Sequence, residues 1–465
     1  TYLELTDEKI RKLSPYIKCF VNVERIYLAE NRLRDLPSEI GALTKLEFLE
    51  LSENKFRYVP KVIGDKLTSL EELDLGENRL KTLPENIGNL TKLDTLYLHE
   101  NRLTHIPESI GRLESLETLE LSQNRLTKLP KSLENLKKLT YLGLNENPLP
   151  LSEVERIREA LPDCEIHFEP TEKITDKYNA LLWSGKLKKV RKALQLAQTY
   201  IELTEVRLGY KYVVLNSFPI EVYDFPTLKE LNIDYCETGE LPPGIGRLTR
   251  LEKLGLAANG LQALPPDFEL LENLEELSIH SNHFQTFPTL HNKDKLISLD
   301  VSHNELKSFP EEVTLCANLE HLSLGENPLT SIPEVIKHLV KLKKLIVSGS
   351  QITTISEALW RLKYLERLDL AQNALTDLPI PMDCSLSLRF LNITQNPFEG
   401  FPLDICYLKN LIELDLSHND FITLPPEIKR FKNLQILHLR EMLPNKPAQA
   451  FALPTSFKKL KSLQK

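Results

Sequence analysis

Hydrophobic and polar residues follow one another along this chain in a phrase that repeats. In its clearest form, Leu93 to Ser115, it reads LDTLYLHENRLTHIPESIGRLES, and Leu116 begins it again. Leu93, Leu96 and Leu98 stand against Asp94, Thr95 and Tyr97 as in a short strand with one apolar and one polar face. Asn101 then turns the chain, and its amide can bond backbone groups of its own and a neighbouring turn, so one Asn per turn predicts an internal ladder. Leu103, Ile106, Ile110 and Leu113 supply the remaining inward side chains. Pro107 sets the descent, Glu108 to Ile110 suit a short helical turn, and Gly111 suits the place where that turn stops. A unit this small cannot cover its own apolar face, so it predicts a stack of copies.

The Asn recurs at 31, 54, 78, 101, 124 and 147, and again at 259, 282, 304, 327, 373, 396 and 419, with Cys236 and Ser350 in its place in two further turns. This L-x-x-L-x-L-x-x-N-x-L pattern, followed by L-P-x-x-I-G-x-L, resembles the leucine-rich repeat. Its 23-residue length and Leu-Pro…Ile-Gly ending resemble the class found in intracellular Ras-pathway scaffolds, plant intracellular Ras-group repeat proteins and many bacterial repeat proteins. The resemblance covers about nine-tenths of the chain. It implies an α/β fold: a right-handed solenoid, or horseshoe, with two arrays whose parallel sheets are concave and a helical spacer between them. It implies less about function, because the family binds many unrelated partners through one architecture.

Taken in order, residues 1–22 look out of phase and predict an N-terminal helical cap, with Thr6 or Asp7 as N-cap, Lys9 to Leu13 as body and Pro15 near the end. Residues 23–170 form the first array. It closes after Asn147-Pro148 with a helix opened by a Ser152/Glu155 capping box, stopped at Pro162, and a last strand over Cys164 to Phe168. Residues 171–202 predict a helical spacer broken at Ser184-Gly185, whose Lys186, Lys188, Lys189, Arg191 and Lys192 read as a solvated face. Residues 203–465 form the second array, degenerate at Leu208, separately phased by the count from Asn147 to Val213, and fading again where Met442 takes the Asn place near Pro444 and Pro447.

Composition narrows the function. A net charge of −8, from 58 basic and 66 acidic residues, offers no general attraction for phosphate, so nucleic acid and anionic membrane are disfavoured as partners. No apolar run of about 20 residues exists to span a membrane. Six dispersed cysteines without a C-x-x-C pair read as small buried hydrophobes and fit a reducing, cytoplasmic setting. Two glycosylation sequons, at Asn89 and Asn392, are expected by accident in so Asn-rich a chain. The chain opens on Thr1 rather than Met, and Leu460 and Leu463 lead to Lys465 where another strand would begin. Further segments on either side, including a signal sequence that would place the protein at a surface, are compatible with the pattern.

Function in a stacked-strand protein is written in the columns of its sheet face. In the first array Tyr27, Phe48, Tyr97 and Tyr141 place aromatic rings among Glu50, Asp74, His99 and Glu120 on a face open to water, and these are the candidate partner-binding residues. Beside each Asn an acidic column, Glu30, Glu53, Glu77, Glu100 and Glu146, runs next to a basic one, Arg32, Lys55, Arg79, Arg102 and Arg125. This predicts either mutual ion pairing or stripes that hold a partner in register. The second array offers Asp300, His280, His303, His321, Arg367 and Asp369. His280, His283, His303 and His321 fall on neighbouring turns, yet no motif spacing makes them converge, so no metal and no cofactor is expected. Phosphate-loop, zinc-protease, kinase and hydrolase signatures are missing, as is the Cys-x-Asp nucleophile of bacterial repeat-bearing ligases. The reading is a non-catalytic scaffold that binds protein partners, of unassigned oligomeric state. Its alternatives are the recognition region of a larger kinase, Roco GTPase or ligase, and a surface protein for host proteins or glycans.

Overall fold

The structure is a computed structural model that describes residues 1–465 except 209–214, 289, 291–292, 385–386, 399, 421–422, 441–453, 456, 458–459, 461 and 464–465. It divides into two compact units, Thr1–Leu181 with Lys192–Glu202, and Leu182–Arg191 with Leu203–Lys465. Each unit is built on a main parallel sheet, of eight strands in the first and eleven in the second among the described residues, and the second adds a two-stranded parallel pair, Ser331–Ile332 with Thr354–Ile355. The fold is an α/β leucine-rich solenoid.

The first sheet runs from Tyr2–Glu4 and Arg25–Tyr27 through Tyr141–Gly143 to Glu165–His167. Register is set by the single inward residue at the middle of each strand, which joins Leu3, Ile26, Leu49, Leu73, Leu96, Leu119, Leu142 and Ile166 in one row. Slipping one residue would turn that row outward, so burial fixes the pairing. Most return segments are one 3-10 turn entered from a proline, such as Pro107 before Glu108–Arg112. Their Ile and Leu residues close the core from behind with essentially no exposure.

Between strand and return runs the Asn ladder. Asn101 Nδ2 donates to the carbonyls of Leu98 (3.2 Å), His99 (3.1 Å) and, one turn back, Leu75 (2.9 Å), while its Oδ1 accepts the Leu80 amide at 2.9 Å. Every ladder Asn is buried. The residue just before each of them lies in the left-handed region, from Glu30 (φ 54) to Glu146 (φ 56) and from Ala258 to His418. A non-glycine there costs about 1 kcal/mol, which the ladder offsets. At Ser350 the rung is lost, and the Leu329 amide turns back to the Asn327 carbonyl at 2.7 Å; at Cys236 the Leu215 amide bonds the Cys236 carbonyl at 2.9 Å instead.

Two local expectations fail in the first unit. Residues 1–22 are not a helical cap. Tyr2–Glu4 is a strand pairing Leu3 with Ile26, Pro15–Cys19 is a 3-10 turn, and the Ile10 amide donates to Asn31 Oδ1 at 2.8 Å. Leu3, Leu5, Ile10, Leu13 and Ile17 therefore precede Ile26, Leu28, Leu33, Leu36 and Ile40 by one repeat, with Glu8 where the Asn would be. A full repeat extends the sheet and satisfies the backbone of the first turn, which a helix packed across its end could not. The closing helix, Leu151–Ala160, does form, but Pro150 is its N-cap and no side chain caps it. Glu153 accepts from the Leu129 amide and pairs with Arg156 at 2.9 Å, tying the helix to the preceding turn in place of a Ser152/Glu155 box.

Two helices follow, Glu172–Leu182 and Leu187–Tyr200. The second sheet starts earlier than Leu208, with Glu205–Arg207 pairing Val206 to Leu231, and ends at Ile436–His438. The phase comparison at Val213 and the fading at Met442, Pro444 and Pro447 lie outside the described residues. Among the described residues no helix is long and apolar enough to cross a membrane.

Candidate functional site

Because the middle residue of each strand points into the core, its two neighbours face out, and the register stacks them into two columns. In the first sheet the third strand position reads Glu4, Tyr27, Glu50, Asp74, Tyr97, Glu120, Gly143 and His167. The first position reads Tyr2, Arg25, Phe48, Glu72, Thr95, Thr118, Tyr141 and Glu165. The eight predicted residues of the first array are thus brought onto one surface, His99 two residues beyond Tyr97.

Aromatic rings touch along that surface. Tyr27 meets Phe48 at 4.9 Å between centroids, Tyr2 meets Tyr27 edge-on at 6.4 Å, Tyr97 meets His99 at 6.3 Å, and Tyr141 meets His167 at 5.1 Å. Contacts of this kind hold the rings in place. The Tyr141 hydroxyl donates to Glu120 Oε2 at 2.9 Å, and Glu120 Oε1 accepts the Ser122 amide at 2.8 Å. Burial, then that bond, pushes the Tyr141 phenol up to about 12. Asp74 accepts the Gly76 amide at 2.8 Å, yet burial still raises its pKa. Glu50 and Glu72 are raised by burial and then by each other's neighbourhood of carboxylates, Asp74 foremost for Glu50 and Asp94 for Glu72.

The acidic and basic columns beside the Asn ladder do not pair. Among the described residues the ion pairs of the first unit are Thr1 to Glu24, Arg156 to Glu134 and Glu153, Arg158 to Glu202, and His167 to Glu165. The buried Asn stands between the two rows, and the acidic residue before it is itself held in the left-handed region. Glu77 is accordingly raised by burial and then by Glu53 and Glu100 above and below it.

The second sheet treats charge differently. Across its strands Arg207 meets Glu230 at 2.7 Å and Lys253 meets Glu276 at 2.6 Å, and Arg207 also meets Glu205 of its own strand at 2.7 Å. In the row before the strands Lys229 meets Glu252 at 2.8 Å and Lys343 meets Glu320 at 2.7 Å. Gly255 leaves a hollow of about 260 Å³ lined by Asn232, Asp234, Lys253, Glu276, Ser278, His280 and Asp300. His280 lies near Tyr235 (6.2 Å) and Ser281, His303 near Glu326 (3.8 Å), and His321 in the row between Ser298 and Lys344. These three histidines have separate neighbours and are not gathered into one cluster. Arg367 stacks over Phe390 at 5.6 Å, and Asp369 accepts the Ala371 amide at 3.1 Å.

A leucine-rich-repeat family model matches residues 21–80, 91–149 and 294–352, and a single-repeat model matches 410–431. The chain is a leucine-rich repeat protein. Among solved structures it is similar to a leucine-rich-repeat protein of Leptospira interrogans (26% identity, 99% of this chain and 88% of that one, TM-score 0.40). It is also similar to a plant peptide hormone receptor (23%, 99% and 82%, 0.41) and to an internalin of Listeria monocytogenes (17%, 86% and 87%, 0.41). No curated protein matches it.

Sequence reasoning missed three parts of this repeat surface. One is a further acidic row just before the strands, Glu24, Glu47, Glu71, Asp94 and Glu117, which the 23-residue recurrence of one charge could have disclosed. The others are two glycines that make room: a Cβ on Gly76 would lie 2.3 Å from the His99 ring, and one on Gly143 would lie 2.1 Å from Glu120 Oε1. Both clashes join neighbouring turns, so nothing local in the sequence announces them.

Proposed function

We propose that this leucine-rich repeat protein is a non-catalytic scaffold whose two sheet faces hold protein partners. The observation that carries the reading is the surplus of aromatic side chains on the first face. Ile26, Leu49, Leu96 and Leu142 already fill the core beneath them at 0% exposure, while Tyr27, Phe48, Tyr97 and Tyr141 stand half-buried above it. Rigid amphipathic rings give large contact area for little ordering entropy, and interfaces concentrate their binding energy on such residues. Two faces on one chain add the gain of linkage when both are engaged. The six cysteines are all unpaired, three of them buried, which supports a reducing, cytoplasmic compartment.

The test is capture by the full chain from lysate of its source organism, with bound proteins identified by mass spectrometry, repeated with Tyr97→Ala/Tyr141→Ala. Proteins held by the wild type and weakened about tenfold by the double change are expected. Equal capture by both chains, or nothing above the bead control, contradicts the reading.

A further inference from the structure

Resting on that docking reading, we propose that the face of the first sheet takes a basic, extended segment of a protein partner, with lysine or arginine side chains seated among its carboxylates and against its tyrosines.

Uncompensated charge on the first sheet carries this assignment. At the sixteen outward strand positions of the first sheet stand six carboxylates, Glu4, Glu50, Glu72, Asp74, Glu120 and Glu165, against one lysine or arginine, Arg25. The row before the strands adds five more acids and no base, and of these only Glu24 has an ion pair, with the Thr1 amino group at 2.6 Å. The arginines that follow the Asn ladder lie beyond it on the return and form no ion pair with either row. Like charges stacked one strand apart, about 4.8 Å, repel unless something neutralises them. The second sheet shows that the same backbone permits neutralisation from within, through Arg207, Lys253 and their glutamates. On the first sheet that compensation has to come from outside.

The face also shows how it would hold a cation. The Arg25 guanidinium lies over the Phe48 ring, 5.6 Å from its centroid. Rings are interspersed with carboxylates along the third-position column, Tyr27, Glu50, Asp74, Tyr97 and Glu120, so each acid has an aromatic ring on a neighbouring strand to wall an incoming cation. Eight strands span about 34 Å, the reach of about ten extended residues. The partner is thus an extended segment rather than a single side chain.

The experiment pans a displayed library of random peptides, about twelve residues long, against the immobilised full chain. Recovered peptides are then tested on Glu50→Gln/Glu72→Gln/Asp74→Asn and on Tyr27→Ala/Tyr97→Ala. The expected result is enrichment in Lys and Arg, affinity that falls about tenfold on neutralisation, and a further fall between about 50 and about 300 mM salt. Peptides that lose binding with the tyrosines but show no basic enrichment and ignore neutralisation overturn the basic partner while leaving a docking face. An empty selection, or peptides indifferent to both variants, overturns both. Should the neutralised chain not fold, the salt titration on the wild type decides: binding that does not weaken with salt sinks the proposal.

Discussion

The two sheets share one backbone and solve opposite electrostatic problems. Both align a single apolar row inward, both run an Asn ladder behind it, and both hold the residue before the Asn in the left-handed region. On the second, lysines and arginines meet glutamates across neighbouring strands at 2.6 to 2.8 Å. On the first, the outward acids face one another, and burial with mutual repulsion raises Glu50 and Glu72. The difference teaches that core and ladder fix the solenoid, while outward columns are free to differ. A column left electrostatically unfavourable is therefore informative about binding.

The largest expected effect tests what the two sheets share. Asn101→Ala removes four hydrogen bonds at once and strands buried backbone groups, so it should cost about 3 kcal/mol or more in urea unfolding. A cost near zero would mean that the ladder is decoration.

Next comes a defect confined to the second sheet's unit. Lys293 is 1% exposed, its Nζ donating to the Glu269 carbonyl at 3.0 Å over the Phe268 ring, in a position that the neighbouring turns fill with Leu271 and Cys316. Burial lowers its pKa, so below the unfolded value the unfolded chain binds the proton more tightly and folding is penalised. Lys293→Met should stabilise by about 1–2 kcal/mol at neutral pH. The advantage should shrink as pH rises toward the unfolded lysine value, measured as the gap between melting curves. An advantage that grows with pH would refute the sign.

Ser350→Asn should restore a rung to the second ladder and stabilise by about 1 kcal/mol, with the Leu329 amide protected from hydrogen exchange. No gain would mean that the turn has relaxed around its defect.

Smallest, and closest to the comparison, are paired neutralisations. Asp74 has a raised folded pKa, so it favours folding most below its unfolded value, and that contribution is lost as pH rises through the folded one. Asp74→Asn should therefore raise the melting temperature at pH 7 and leave it little changed near pH 4. Glu276→Gln on the second sheet should lower it slightly, since it breaks the Lys253 pair, worth at most about 1 kcal/mol. Changes of the same sign on both sheets would erase the distinction.

The solenoid was legible because its causes are local and repeated. Leu93 to Gly111 contains a strand, a turn, a proline and a helical turn in their structural order, and Asn101 foretells its own hydrogen bonds. Reading failed where a repeat lost its marker. With Glu8 at the Asn position, the first turn looked out of phase, although Leu3, Leu5 and Ile10 keep step with Ile26, Leu28 and Leu33. It failed again wherever an outcome depends on distance between turns. The Ser152 box lost to Glu153 because the Leu129 amide lies one turn away, and the stripes beside the ladder do not pair, with the buried Asn standing between them. The candidate face was legible as columns of Tyr and Glu, but its want of cations became visible only beside the paired second sheet.

Carbodiimide labelling of the full chain, read by mass spectrometry with and without a lysine-rich peptide, probes whether the charge on the first sheet is compensated from outside. Protection is expected at Glu50, Glu72 and Asp74 of the first sheet, with Glu230 and Glu276 of the second unchanged. Equal protection on both sheets, or protection confined to the second, would contradict it.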